Sequence, residues 1–517
     1  MNRPPYGWLL RCSSAASPDP DALLDSTEHP LTAGLCLAAL TLCLPACSDE
    51  PEPTRPNVLL ISIDSLRADH LGCYGYERDT SPAIDRLARE GALFRQVSSS
   101  TSWTLPAHAS LFTALPDSVH LCDRNSRVLA PSRTTLAEAM GSEGYATAGL
   151  WSGPYLHPRF GLAQGFDHYR SCASFEIYSD DNLRSHSTPG PGAAPAGQFR
   201  ANRLSHEDIT SPRILEEVEA FLGQEREDPF FLFVHMWDVH YDFIPPEPYA
   251  SKFDSDYAGP VDGGNLSGDW KLGDEGTSER DREHLLALYD AEIAWTDHHV
   301  GKILERLDTL GLADDTIVVL TADHGEEFFE HGLFGHRKTL YEEVLNIPLI
   351  IRYPGTVEAG KSLDRISSII DIAPTILDLA GARKLRNVLG QSLVPEMEGS
   401  AVDSDSVAIA ELFKPRSATQ VVSLRSERWK LLYERTNGES IGLWDMLGDP
   451  AEASNVLEVN ADLREEAEEA AALLQVQLDE LEKQHSSAGS EAASGLPPEL
   501  EKNLRELGYL GGSDEDE

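Results

Sequence analysis

Four groups of residues in this chain have the types and the setting for metal-assisted ester chemistry: Thr104, Asp64, His235 and the pair Asp323-His324. Thr104 lies in the stretch 98–115, S-S-S-T-S-W-T-L-P-A-H-A-S-L-F-T-A-L. Pro106 suits the first turn of a helix, where its missing N–H would have no intrahelical partner, and the run after it is built largely of helix formers. Thr104 therefore sits at a helix mouth, beside unpaired N–H groups and the positive end of the macrodipole. That setting favours an anionic ester and a hydroxyl that must become an alkoxide. Threonine is also a routine N-cap, so the other groups bear on the choice. Asp64, His235 and Asp323 follow three β-branched and aliphatic runs, 57–63, 229–234 and 316–322.

Such runs read as strands buried on both faces, as in a parallel sheet. In open α/β sheets ligands bind at the carboxyl edge, where these three strand ends and Thr104 can converge. A hard divalent cation held there by carboxylates and imidazole would lower the pKa of an adjacent hydroxyl and offset charge on a reacting oxyanion. A single Asp at a strand end is more often a cap or turn residue; four such features in one chain order point to a site.

The intervening segments read as helices. Residues 81–90 are amphipathic with Gly91 as their stop, 134–141 lead to a strand at 145–151, and 212–223 form another. Ser278 with Asp281 makes a capping-box start to a long helix carried by Leu285, Leu288, Ile293, Val300, Ile303, Leu307 and Leu310. Residues 347–352 read as a further strand and 371–380 as a Pro-interrupted helix. The alternation predicts an α/β fold, a large mixed, mostly parallel sheet flanked by helices. From about Ser404 short strands at 407–411, 420–424 and 429–434, then a helix from Asn460 to about His485, predict a smaller C-terminal α+β subdomain. The expected divisions are 57–400 for the catalytic domain, 401–512 for the subdomain and 513–517 for an acidic tail. A polar stretch over 171–211 reads as a long surface loop or insertion.

The stretches N-V-L-L-I-S-I-D-S-L-R-A-D-H-L-G-C-Y-G-Y, S-W-T-L-P-A-H-A-S-L-F-T-A-L, F-F-L-F-V-H-M-W-D-V-H-Y-D-F-I-P-P and L-T-A-D-H-G-E-E-F-F-E-H-G-L-F-G-H-R-K-T-L-Y-E-E resemble the sulfatase branch of the alkaline phosphatase superfamily. The resemblance, which extends to G-L-W-D-M-L-G-D-P-A-E-A-S-N, covers roughly 55–510 and implies an alkaline phosphatase-like fold. It implies one divalent metal (Ca, Mn, Mg and Zn are not distinguished) bound by Asp64, Asp323 and His324, with Thr104 facing it as nucleophile. It also implies His235 as leaving-group acid and His240 as a substrate-pocket neighbour. Arg337 and Lys338, with His336 beside them, both qualify to hold the sulfuryl or phosphoryl oxygens, and spacing does not choose between them.

Two departures from the family pattern matter. Typical sulfatases read C-x-P-S-R, with the Cys converted to formylglycine; this chain reads T-L-P-A-H, placing Thr104 at the nucleophile and His108 at the catalytic Arg. The usual Asp-Asp at the first strand end is Asp64-Ser65. A formylglycine hydrate expels sulfate through its second hydroxyl, whereas a threonyl ester must be displaced by water, which suits phosphoryl transfer at least as well. The reading is a sulfate or phosphate ester hydrolase. Its alternatives are a headgroup phosphoryl transferase of the cell envelope and a catalytically silent binding protein on the same fold.

With 42 basic and 86 acidic residues among 517, the chain has a formal charge of −44, which argues against nucleic-acid partners. The apolar run 31–44 is too short to span a bilayer but fits a signal peptide. Leu44-Pro45-Ala46-Cys47 resembles a bacterial lipoprotein processing box. The expectation is an export segment over 1–47, a tether over 48–56, and a periplasmic or membrane-anchored location. Membrane contact would come only through a lipid on Cys47. The remaining partner is a small-molecule or glycan ester. The seven cysteines show no metal-ligand spacing.

Overall fold

The apolar runs form the middle of an eight-stranded sheet. Its strands are β1 (Asn57–Ile63), β2 (Ala92–Ser98), β3 (Ala146–Trp151), β4 (His168–Ser171), β5 (Phe230–Met236), β6 (Thr316–Ala322), β9 (Leu349–Arg352) and β10 (Lys361–Ser368), in the order β10-β2-β9-β6-β1-β5-β3-β4. A two-residue hairpin supplies β7 (Glu327–Phe328) and β8 (Phe334–Gly335). All pairings in the large sheet are parallel except those of β9, which runs against both β2 and β6. The expected mixed, mostly parallel sheet is therefore present, and the strand anticipated at 347–352 is its reversed member. The computed structural model describes residues 55–458 apart from 125–126, 174–208, 265, 267–276, 401–405 and 415–416, with a few helical positions between 472 and 483. The export segment, most of the tether, nearly all of the polar insertion, the helix start at Asn460 and the acidic tail lie outside the described residues.

Three strands of the large sheet escaped the sequence analysis. β2 carries Arg95 and Gln96 in its middle, and β4 and β10 are polar edge strands without a continuous apolar run. Packing on one face suffices for a strand next to an edge, so the periodicity signal is weak there.

The long helix Glu279–Thr309 begins with the anticipated capping box: Asp281 N–H donates to Ser278 Oγ at 3.2 Å and Ser278 N–H to Asp281 Oδ2 at 3.0 Å. Its apolar stripe, Leu285 to Leu307, is buried. It also carries Asp297, whose carboxylate accepts the N–H groups of Ala83 and Ile84 at the start of the helix Pro82–Glu90. A second sheet, β11 (Ala408–Lys414), β12 (Thr419–Arg425), β13 (Trp429–Glu434) and β14 (Glu439–Asp445), is antiparallel throughout. Lys430 of β13, fully buried, pairs with Glu342 at 3.0 Å and Glu452 at 2.9 Å and so ties this sheet to the segment after β8. Among the described residues no helix is long and apolar enough to cross a membrane.

Candidate active site

β1 lies between β5 and β6, and register decides which side chains meet. Ser62 is level with His235 on one side and Thr321 on the other, and Ile63 is level with Ala322. Asp64 and Asp323 therefore leave adjacent strands at the same height, where backbones are ~4.8 Å apart. Gly325 lets the chain turn close after Asp323-His324: a Cβ there would meet the Glu343 carbonyl at 2.1 Å. Asp323 Oδ1 is fixed by the N–H groups of Ser65 at 3.1 Å and His324 at 2.9 Å.

The helix Thr104–Thr113 begins at Thr104 itself, with Trp103 as its cap residue and no capping side chain. Thr104 is thus not the N-cap, and its hydroxyl faces the strand ends, 3.4 Å from Asp64 Oδ2 and 3.5 Å from His324 Nε2. His324 Nδ1–H donates to the Gly325 carbonyl at 2.8 Å, which turns the lone pair of Nε2 toward Asp64 Oδ1 at 3.7 Å and Asp323 Oδ2 at 3.4 Å. His235 Nε2 lies 3.3 Å from Asp64 Oδ2. Asp64, Asp323 and His324 offer ligand atoms within 4.8 Å of one another, as do His108, His235 and Asp323.

Two features show that the group suits a cation. Asp323 Oδ2 and both ring nitrogens of His235 are buried without a hydrogen-bond partner among the described residues. Each such group costs about 1–3 kcal/mol if left so. Burial also pushes Asp64 up to about 6, against the pull of His324, Ser65 and Thr104, and pushes Asp323 up, with Asp64 adding to the effect. Two carboxylates, an imidazole and a hydroxyl form an oxygen-rich donor set for a divalent ion. Burial holds His235 down to about 4 and His108 down to about 3, so both are neutral at pH 7.

His108, expected at the place of the family's Arg, is fully buried. Its Nδ1–H donates to the Thr104 carbonyl at 2.8 Å, and Ser62 Oγ donates to its Nε2 at 3.1 Å. With both nitrogens engaged, it braces the first turn of the helix Thr104–Thr113. His336 is buried, not loop surface: its Nδ1 is 3.0 Å from Glu326 Oε2, and its ring centroid lies 4.5 Å from that of His324 and 5.0 Å from that of His240. His240 in turn stacks on Trp237 at 3.9 Å. The two histidines thus extend the group outward from His324. Glu326 was not anticipated, although its place directly after Asp323-His324-Gly325 was a signal.

The structure separates the two cations that spacing left equivalent. Arg337 has φ +68°, donates its N–H to the Ser102 carbonyl at 3.0 Å, lies 4.4 Å over the Trp103 ring and donates from Nη1 to Tyr155 Oη at 2.9 Å. It is held beside the residue that precedes Thr104. Lys338 is exposed, and its Nζ donates to the Phe334 carbonyl at 2.6 Å.

Residues 56–382 match the family model described as Sulfatase, and 329–484 match one described as N-sulphoglucosamine sulphohydrolase, C-terminal. The chain belongs to the sulfatase family. It is an enzyme of that type, a sulfuric or phosphoric ester hydrolase, in a family that typically binds a divalent metal. Among curated sulfatase relatives, the N-acetylglucosamine-6-O-sulfatase of Bacteroides thetaiotaomicron is 25% identical over 84% of this chain and 88% of its own. The multifunctional alkaline phosphatase superfamily protein PehA of Trinickia caryophylli is 29% identical over 68% of this chain and 79% of its own. The phosphonate monoester hydrolase of Agrobacterium radiobacter shares the fold with a TM-score of 0.62 at 24% identity, covering 83% of this chain and 96% of that one.

Proposed function

We propose that this sulfatase-family chain is a metal-dependent hydrolase in which Thr104 is the nucleophile, on a sulfate or phosphate ester. The observation that carries the reading is the Thr104 hydroxyl at the first residue of a helix, within 3.5 Å of both Asp64 and His324. Asp64, Asp323 and His324 would hold the ion. Bound there, it supplies positive charge that lowers the hydroxyl pKa and offsets charge on the transferred group. Thr104 Oγ1 attacks sulfur or phosphorus in line with the leaving oxygen, with Asp64 Oδ2 as the acceptor its hydroxyl faces. The helix start and Arg337 stabilise the equatorial oxygens. His235 donates a proton to the leaving oxygen; an anionic ester drawn against it favours its protonated form over the neutral one that burial imposes. Water then displaces the Thr104 ester, restoring the hydroxyl and releasing inorganic sulfate or phosphate from a monoester, or the remaining phosphate monoester from a diester. His108 keeps the first helical turn in place, His240 and His336 line the approach, and Lys338 contributes charge near Glu326 and Glu327.

Threonine has no second hydroxyl through which to expel sulfate, which favours a phosphate mono- or diester as the better substrate. A glycan ester fits the names of several relatives. The same reading includes export through residues 1–47, a lipid on Cys47, the tether over 48–56, and a division near residue 400 between catalytic and C-terminal parts. The purified protein, stripped of metal and reloaded separately with Ca²⁺, Mn²⁺, Mg²⁺ or Zn²⁺, is assayed on paired aryl sulfate, phosphate monoester and phosphodiester substrates. Turnover of at least one ester that depends on the added ion is expected. Turnover that persists unchanged in the stripped protein, or no turnover with any ion, overturns the reading.

A further inference from the structure

The second sheet reaches the segment that carries the nucleophile. Glu411 of β11 donates its N–H to the carbonyl of Ser100, four residues before Thr104, at 2.7 Å. Its buried carboxylate accepts the N–H of Ser118, just beyond the far end of the helix Thr104–Thr113, at 2.7 Å. One residue thus grips the chain on both sides of that helix. Its other oxygen is held by Gln420 Nε2 at 3.1 Å and Arg435 Nη1 at 3.4 Å. Asp117 holds the same segment from within: Ser110 Oγ donates to it at 3.2 Å, and the Ser100 and Thr101 hydroxyls also offset its charge. His120 completes the group, with Nε2 at 3.0 Å from Ser110 Oγ and 3.4 Å from Asp117 Oδ1; the Cys122 N–H occupies its Nδ1, so Nε2 bears the proton.

We propose that Glu411 is a positioning residue for Thr104: through it the second sheet fixes the loop and the turn that bracket the nucleophile's helix, and so sets the aim of the Thr104 hydroxyl. The proposal rests on the reading of Thr104 as nucleophile. Misplacement of a reacting group by ~1 Å can cost ~10²-fold in rate, so a brace at both ends of one short helix is felt in kcat.

The charges around the brace make it sensitive to pH. Glu411 faces Asp117 from the turn, and Arg435 and Tyr433 from β13 and its end. Asp117 faces Asp123 and His120 as well, and Arg435 is shared with Asp479 at 3.3 Å. Burial, reinforced by Asp117, pushes Glu411 up to about 7; burial, reinforced by Asp123, pushes Asp117 well above the usual carboxylate range. A raised carboxyl pKa means that the folded state binds the proton more tightly than the unfolded chain does. The contribution of Glu411 is therefore full below its ordinary value of 4.5 and is lost as pH rises to about 7.

The test measures amide hydrogen exchange in the peptide containing Ser99–Thr104, together with kcat and KM across pH, on the full chain. E411A is expected to speed exchange in that peptide and to lower kcat, each by ~10-fold, with KM within about twofold. E411Q keeps an oxygen for the Ser118 N–H. It is expected to retain most of kcat on the acid side and to lack the fall in kcat near pH 7 that the wild type shows. Unchanged exchange and kcat in E411A, or an E411Q profile that superimposes on the wild type, overturns the proposal. If E411A fails to fold, the E411Q profile decides alone. If no ester is turned over but E411A still loosens the peptide, the brace stands and the nucleophile assignment falls.

Discussion

Asp64 with Asp323 at the carboxyl edge of the large sheet, and Glu342 with Glu452 against the second sheet, are both pairs of withdrawn carboxylates, fully buried except for the half-buried Glu342. The second pair receives Lys430 between its members, at 3.0 and 2.9 Å, and Arg425 lies 3.6 Å from Glu342. Among the described residues the first pair has no Lys or Arg partner, only imidazoles and hydroxyls around it. Burial raises Asp64 and Asp323, and it also pushes Glu452 up to about 6, but Lys430 and Arg425 outweigh burial at Glu342 and pull it down. The difference teaches how to separate structure from function in one protein. Buried charge that is already matched holds two sheets together, while the unmatched pair is where the proposed ion and anionic ester would be received.

The comparison breaks first at the nucleophile. T104A should lower kcat by at least ~10³-fold while leaving the circular dichroism and melting temperature of the wild type, since the side chain is small and the helix starts without its help. Retained turnover would reassign the site. Next, D323N should lower metal affinity at least ~10-fold, read by equilibrium dialysis, and abolish most turnover, yet leave the metal-free protein as stable as wild type or more so. A large loss of stability would mean that Asp323 is matched after all.

At the other cluster the signs reverse. K430A should cost ~3–5 kcal/mol in urea unfolding, because it strands two carboxylates, with turnover of the folded protein within about twofold. The pH dependence follows the same logic. Glu342 has a lowered pKa, so its contribution is full above its ordinary value of 4.5 and disappears as pH falls below it. The stability gap between wild type and K430Q should therefore narrow as unfolding is measured at successively lower pH. The smallest effect sharpens the site itself. R337A should weaken kcat/KM ~10-fold or more and K338A only a few-fold, because only Arg337 is locked against Trp103 and Tyr155; equal losses would show that both cations reach the ester.

The candidate site residues that the structure brings together were legible in the sequence wherever a local pattern carried them. Three apolar runs end at Asp64, His235 and Asp323, and Thr104 with Pro106 marks a helix start. The capping box at Ser278 and the mixed sheet followed from the same kind of reading. What was illegible depended on partners far along the chain. β2 is a strand because β9 and β10 flank it, not because A-L-F-R-Q-V-S has a strand period. Glu326 became part of the site only when His336 folded back onto it, and Glu411 gained meaning only from its contacts with Ser100 and Ser118.

By itself the sequence determined which residue types stand at the strand ends, which family the chain belongs to, and that Thr104 opens the T-L-P-A-H stretch at a helix start. Those facts are written in short periodicities and fixed spacings, which chain geometry turns into structure within a few residues. The tertiary structure alone decided that Ser62 stands level with His235, that Arg337 and not Lys338 leans on Trp103, and that a residue of the second sheet holds the chain on both sides of the helix Thr104–Thr113. Register and contacts across hundreds of residues are set by the packing of the whole core, and no local pattern encodes them.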